Sequence, residues 1–319
     1  MNPKLLGMVF PGQGSQKPGM LEDYYQAETV FRETFEQSAD QLNIDLWKLV
    51  SEGEPSDLAN TVITQTLMLT ADIAVWRVWQ SHTEVLPAVM SGHSLGEFSA
   101  LVAAGYLEFK AALTLVKTRA ELMQGAVPNG QGGMGALVGL DLEAVEQVCR
   151  DSADKTQALV NVANLNAPGQ TVVGGHLKAV EMALVLAKEA GAKKAVLLPM
   201  SVPSHCALLS EAAEEFQEAL MTVSFNRGDI PVIHNVHAEV AGDAEQVRSA
   251  LYRQLFSPVR WVECVQKMTE FGAENLIECG PGKVLTGLNK RIVPSKNRIA
   301  LDTRETFLQT IEQLDRAEA

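Results

Sequence analysis

Cysteine is scarce in this chain of 319 residues, positive charge is outweighed, and long apolar runs are missing. The four cysteines, Cys149, Cys206, Cys264 and Cys279, stand far apart and form no C-x-x-C pair. That pattern excludes a disulfide framework and a cysteine-built zinc site, and fits free thiols in a reducing, cytoplasmic setting. Lys and Arg number 26 against 39 Asp and Glu, a net charge of -13. A general nucleic-acid binder would carry a basic surface instead. No stretch of 18 apolar residues occurs, so no membrane-spanning helix is expected. The run Leu5–Phe10 is too short for a signal peptide and reads as a first strand. His234 and His237 form an H-x-x-H, but "IPVIHNVHAEV" reads as strand and loop rather than helix, so no metal pair is expected there.

What is present is globular. Hydrophobic residues make up 46% of the chain, ample for a core in one large domain or two modest ones. Strand candidates at 5–10, 88–92, 230–236, 275–279 and 298–302 alternate with helical patterns near 64–82, 95–104, 109–126, 208–222, 243–256, 260–272 and 304–316. Such alternation predicts an α/β fold, a mostly parallel sheet covered on both faces. The stretch from Met134 to Ser201 differs. It reads strand, helix, strand, strand, helix, strand, a βαββαβ order of the ferredoxin-like kind. Residues 128–133, "PNGQGG", read as a linker into it. The expected organisation is a discontinuous large domain, 1–128 and 202–319, interrupted by a small one at 129–201.

The chemistry begins at "VMSGHSLGEFSA", residues 89–100, which holds G-x-S-x-G around Ser94. A nucleophile elbow needs a strand before it and a helix after it. Val89 and Met90 supply the first, and the run from Glu97 to Ala104, stopped by Gly105, supplies the second. Glu97 in the first helical turn suits the positive end of the helix dipole. The alternative is a plain turn bracketed by glycines. A serine nucleophile also needs a base. His205, in "MSVPSHCALL", sits where the chain leaves the small domain for the large one, and a cleft between domains is a natural site. His93 adjoins the serine but should point away from it. Oxyanion donors are expected at the backbone N–H of Leu95, just after the nucleophile, and of Gln13, which Gly12 and Gly14 leave free to turn outward. The helix at 109–126 carries an apolar stripe with Arg119 at its edge. An inward arginine must snorkel out, pair in a salt bridge, or meet an anion, and its planar fork suits a carboxylate.

Taken in order, "FPGQGSQ", "GHSLGE", "TRAELMQ", "NLNAPGQTVV", "VPSHCALL", "LYRQLFSPVRW" and "GPGKVLTGL" resemble the malonyl-CoA:acyl carrier protein transacylases of dissociated fatty-acid synthesis. The resemblance runs to about residue 293. It implies an α/β-hydrolase-like core with an inserted ferredoxin-like subdomain. Ser94 is then the nucleophile, His205 the base, Gln13 and Leu95 the oxyanion donors, and Arg119 the partner of the malonyl carboxylate. Gln254 matches a glutamine whose carbonyl orients the histidine. Asn164 and Asn166 match asparagines on the small domain's side of the cleft. Phe98 stands where tyrosine is common and Ala167 where serine is common; neither is expected to touch a reacting group.

The resemblance implies a ping-pong acyltransferase with malonyl-CoA and acyl carrier protein as partners. No metal or redox cofactor is implied: the CoA thioester is substrate, and phosphopantetheine belongs to the partner. A polyketide pathway, a serine esterase or thioesterase, and a non-catalytic docking subunit are the other readings of these residues. An acidic carrier protein needs a positive docking face on this acidic chain. Between 283 and 298 stand Lys283, Lys290, Arg291, Lys296 and Arg298 with no Asp or Glu. Lys290 and Arg291 are the expected docking cations, unless they merely favour the negative end of a helix that Pro294 stops.

Overall fold

The short apolar runs pair into a parallel sheet. In the computed structural model, residues 5–128, 130–200 and 202–318 are described, with side chains to 316. The first strand, β1 (Leu6–Phe10), leads to α1 (Glu22–Ala27), α2 (Thr29–Leu42), α3 (Leu46–Glu52) and the long α4 (Thr61–His82). Then come β2 (Val89–Gly92), α5 (Gly96–Ala103) and α6 (Phe109–Gly125). A second group follows: β3 (Gly132–Val138), α7 (Leu142–Thr156), β4 (Val160–Ala167), β5 (Gln170–His176), α8 (Leu177–Glu189) and β6 (Lys194–Leu197). The chain ends with α9 (Ser210–Met221), β7 (Val232–Ile233), α10 (Ala244–Gln254), α11 (Trp261–Glu270), β8 (Asn275–Glu278), α12 (Val284–Ile292), β9 (Asn297–Ala300) and α13 (Arg304–Glu318).

The first sheet has the order β7-β2-β1-β8-β9, every neighbouring pair parallel. Strands covered on both faces are buried along their whole length, as β1, β2 and β8 are, with Ser91, Asn275 and Glu278 as their polar members. The chain steps from β1 to β2 on one side and later to β8 on the other. A ligand crevice in an open parallel sheet lies beyond the carboxyl ends of the strands at such a reversal. The loops after β1 and β2 meet there. After β8, the buried Glu278 accepts from the backbone N–H of Leu285 (3.0 Å) and Thr286 (2.6 Å), which anchors the start of α12 beside the same crevice.

The second sheet is antiparallel, in the order β4-β5-β3-β6. One face packs Leu137, Val173 and Val160 against Val145 of α7 and Val180 and Ala183 of α8. The other carries Met134, Ala163 and Val172, with Ala136, Leu198 and Met200 beside them. That second face looks onto the crevice. β4 shifts register twice against β5, and Asn164 and Asn166 both reach the crevice. The sheet is pinned to the rest of the chain along β4. Val259 N–H donates to Ala163 O and Leu165 N–H to Val259 O, each at 2.9 Å. Arg291 donates to Pro168 O (3.0 Å) and to the Gln170 side chain across the same seam.

Three differences from the sequence expectation have physical causes. Helices α1 to α3 were not expected, because the buried face of α2 mixes Phe31 and Phe35 with Thr34 and Ser38, which dilutes its apolar stripe. Ser38 Oγ and Thr70 Oγ1 satisfy each other at 2.9 Å inside the core. The linker at 128–133 is shorter than expected, since Gly132 and Gly133 already pair with β5. Helix α7 continues past Cys149 to Thr156, where the buried position is Ser152, whose Oγ donates to Ala179 O at 2.6 Å, so no large apolar residue marks this turn. Among the described residues, no helix is long and apolar enough to cross a membrane. The expected domain joints at residues 128/129 and 201/202 touch Asn129 and Ser201, which lie outside the described residues.

Candidate active site

Ser94 stands on a sharp turn between β2 and α5. Its φ is +54°, a left-handed conformation that a side-chain-bearing residue adopts at a cost. Two glycines make the turn possible. A Cβ on Gly92 would fall onto the Gly96 carbonyl, and one on Gly96 onto the Phe10 carbonyl. The turn is held from outside by Asn235, whose Oδ1 accepts from Ser94 N–H (2.8 Å) and whose Nδ2 donates to Gly92 O (2.7 Å).

His205 also has a positive φ, +59°, and is only 3% exposed. Its Nε2 lies 2.7 Å from Ser94 Oγ, and its Nδ1 lies 2.7 Å from the main-chain carbonyl of Gln254. A carbonyl can only accept, so Nδ1 carries the proton and Nε2 offers its lone pair to the serine hydroxyl. Burial, with the Arg119 cation adding to it, pulls the His205 pKa from 6.5 down to about 3; the Gln254 carbonyl opposes this weakly. The imidazole is therefore neutral, as a base must be, far into the acid range.

Arg119 is 1% exposed. Its acceptors are all neutral: Gln65 Oε1 (2.5 Å), Gln254 Oε1 (2.8 Å) and Ser94 Oγ (3.3 Å). Its Nε is buried and has no partner among the described residues. Burial lowers its pKa to about 10, with the Glu97 charge opposing, so it stays cationic at neutral pH. Arg119 is thus a buried cation beside the serine with no carboxylate within hydrogen-bond reach among the described residues.

These groups line a cavity of about 170 Å³ between the two sheets. Gln13, Leu95, Asn164 and Asn166 line it too, with Met123, Met134, Leu198, Met200, Leu285 and Leu288 as its apolar wall. Neither Gln13 nor Leu95 uses its backbone N–H on a protein acceptor among the described residues. Asn166 Oδ1 accepts from His93 Nε2 (2.8 Å), so His93 points away from Ser94 and braces the small sheet. Asn164 bridges to Val259. Among the described residues, no group of three or more His, Cys, Asp or Glu could hold a metal ion.

The acyl transferase domain model matches residues 8–304. A malonyl CoA-acyl carrier protein transacylase of Escherichia coli O157:H7 is 45% identical over 304 residues, covering 95% of this chain and 98% of its own. The protein of that name from Bacillus subtilis is 41% identical, at 97% of both chains. The chain belongs to the malonyl-CoA:acyl carrier protein transacylase family. Among solved structures, an acyl carrier protein S-malonyltransferase from Vibrio cholerae superposes with TM-score 0.93 at 49% identity, covering 96% of this chain and all of the other. A malonyl-transacylase solved in complex with a type II polyketide acyl-carrier protein superposes with TM-score 0.94 at 45% identity, covering 97% and 99%.

Within this family site, sequence reasoning missed the residues that hold others in place. Glu97 does more than suit the helix dipole: it is wholly buried and accepts from His234 Nδ1 (2.7 Å), Asn235 N–H (2.9 Å) and Gln254 Nε2 (2.9 Å). Asn235 lies between the histidines of the H-x-x-H stretch and Gln65 inside the helical pattern at 64–82, and neither carried a signal of its own. The Phe98 ring centre lies 5.5 Å from the Arg119 guanidinium carbon, so its ring packs beside that cation. Cys206, beside His205, is buried; burial pushes its thiol up to about 12, and Sγ donates to Pro203 O. Lys290 is exposed, whereas Arg291, though exposed, is engaged across the β4–β5 seam.

The depressed pKa of His205 fixes the sign of two pH effects. The unfolded chain binds the extra proton below about 6.5, so this residue's share of stability is present above 6.5 and is lost as pH falls toward 3. The acylation rate should nevertheless stay within about twofold between pH 7.5 and 5 in single-turnover stopped flow, where an ordinary histidine would be almost wholly protonated. An acid limb centred near 6.5 in folded protein would mean that His205 is not held in this environment.

Proposed function

We propose that this chain moves a malonyl group from malonyl-CoA to the phosphopantetheine thiol of acyl carrier protein through an ester on Ser94, supplying fatty-acid synthesis. The carrying observation is a buried guanidinium within 3.3 Å of a serine that a neutral, tautomer-fixed histidine already contacts. A hydrolase for apolar esters has no use for that cation. In the first half-reaction Ser94 Oγ attacks the thioester carbon while its proton passes to His205 Nε2. The oxyanion is received by the N–H groups of Gln13 and Leu95, and removing such a donor costs about 3 kcal/mol. The C–S bond breaks, and the CoA sulfur takes the proton from His205. In the second half the phosphopantetheine thiol gives its proton to His205 and attacks the ester, and Ser94 Oγ is reprotonated as the C–O bond breaks. Arg119 pairs with the malonyl carboxylate throughout. Asn164 and Asn166 shape the wall opposite.

We also infer that the parallel sheet is an α/β-hydrolase-like core, with its nucleophile elbow after β2. The β4-β5-β3-β6 order supports reading residues 129–201 as a ferredoxin-like insertion in a discontinuous large domain.

Intact-mass measurement after exposure to malonyl-CoA or acetyl-CoA tests the site. Wild type should gain one malonyl group and Ser94→Ala none. Arg119→Ala should lose malonyl loading by at least about 100-fold, because a carboxylate left unpaired in a buried site costs several kcal/mol. Acetyl loading should persist. Equal losses for both acyl groups would make Arg119 structural, and a full adduct on Ser94→Ala would place the nucleophile elsewhere.

For the carrier protein, Lys290 is the docking cation that the fold leaves free to act, while Arg291 ties α12 to the β4–β5 turn and contributes charge only from that fixed position. Lys290→Glu should slow transfer to carrier protein several-fold at low salt, and added salt should narrow the gap. Loading from malonyl-CoA should change less. An unchanged transfer rate at low salt would move the docking face elsewhere.

A further inference from the structure

We propose that Thr61 is a positioning residue for the oxyanion loop, linking that loop to the arginine that reads the acyl group. The inference rests on the transfer reading above. It begins from a chain of hydrogen bonds whose direction is forced. Arg119 can only donate, so the atom facing its Nη1 at 2.5 Å is the Gln65 oxygen. The Gln65 amide nitrogen then faces Thr61 Oγ1 at 3.2 Å and donates to it. Thr61 Oγ1 has one hydrogen left, and Gln13 Oε1 is its acceptor at 3.1 Å. The relay thus runs from guanidinium to amide to hydroxyl to the side chain of the residue whose backbone N–H is an oxyanion donor.

The loop needs such a tether. Gln13 lies between Gly12 and Gly14, and Gly14 has φ +107° with open space where a Cβ would stand. Neither glycine supplies a side chain to fix the peptide that must aim its N–H. Gln16 holds the far side of the loop, its Oε1 accepting from Gly14 N–H at 2.7 Å and its Nε2 donating to Leu58 O at 3.3 Å, and Ser15 N–H reaches Gly12 O at 3.4 Å; Thr61 is the residue that holds the Gln13 side chain itself. Thr61 is well placed for the task. It is buried in the first turn of α4, and the helix cap is made by Asn60, whose Oδ1 accepts from Val62 N–H and Ile63 N–H. Removing the Thr61 hydroxyl therefore leaves the cap intact.

A displaced oxyanion donor weakens the transition state and leaves ground-state binding alone, so the loss belongs in kcat. Thr61→Val keeps the shape and deletes the hydroxyl. It should lower kcat for loading of malonyl and of acetyl alike by about tenfold, with KM within twofold. Thr61→Ser should recover the rate to within about twofold. Gln13→Met keeps the backbone N–H and removes the acceptor, so it should match Thr61→Val, and the double variant should be no slower than either alone. Thermal melting of each variant accompanies the kinetics, and rates are compared per folded protein. Additive losses in the double variant, failure of Thr61→Ser to recover, or a KM effect with kcat intact would each overturn the proposal. Wild-type protein is loaded in parallel. If it takes no malonyl on Ser94, the transfer reading fails; if it does and Thr61→Val loads as fast, only the relay fails.

Discussion

The site depends on one buried carboxylate. Glu97 reaches no solvent and answers three donors, the imidazole of His234, the backbone of Asn235 and the side-chain amide of Gln254. Two of those groups, Asn235 and Gln254, then hold Ser94, His205 and Arg119. Asn235 clamps the turn that presents Ser94. Gln254 gives its main-chain oxygen to His205, its side-chain oxygen to Arg119, and its amide also to Ser94 O at 3.0 Å. Ser94, His205 and Arg119 are therefore set by one network. A buried polar network of this kind is rigid when every member is satisfied and costly when one is not.

The parallel sheet makes that network possible. Ser94 must hold a left-handed backbone, and the strain persists only because its surroundings fix it. β2 ends at the reversal of strand order, next to the loop after β1, so Gln13 and Leu95 face the same space. The antiparallel sheet closes the cleft as a wall pinned along β4 by Val259, Arg291 and His93, which keeps the asparagines at a fixed distance from the serine.

Much of this was legible in the sequence for a definable reason. Ser94 announced itself through two glycines that its turn sterically requires. Arg119 did so by falling on the edge of an apolar stripe, while its neighbours Lys117 and Glu121 pair in solvent at 3.9 Å. His205 was found from its place at the domain exit, and Gln254 from the resemblance, although the orienting atom is its backbone oxygen, which no side chain encodes. Glu97, Asn235, Gln65 and Thr61 were invisible because their meaning lies in contacts across 48 to 141 positions of sequence. Glu97 had a sufficient local explanation as a helix-dipole residue, and that explanation hid the distant one. Likewise Arg291 looked like free surface charge until the β4–β5 turn came within its reach. The fold's alternation was readable from β1, whose five buried residues include no polar one to blur the run, and unreadable in α2, where threonine and serine share the buried face.

The most direct measurement is the single-turnover rate of malonyl loading onto Ser94 in Glu97→Ala, taken per folded protein with melting as control. If the carboxylate holds nucleophile, base and arginine together, the rate should fall by at least about 100-fold, since displacements near 1 Å at the reacting atoms suffice for that. A folded Glu97→Ala protein that loads malonyl within about threefold of wild type would contradict it.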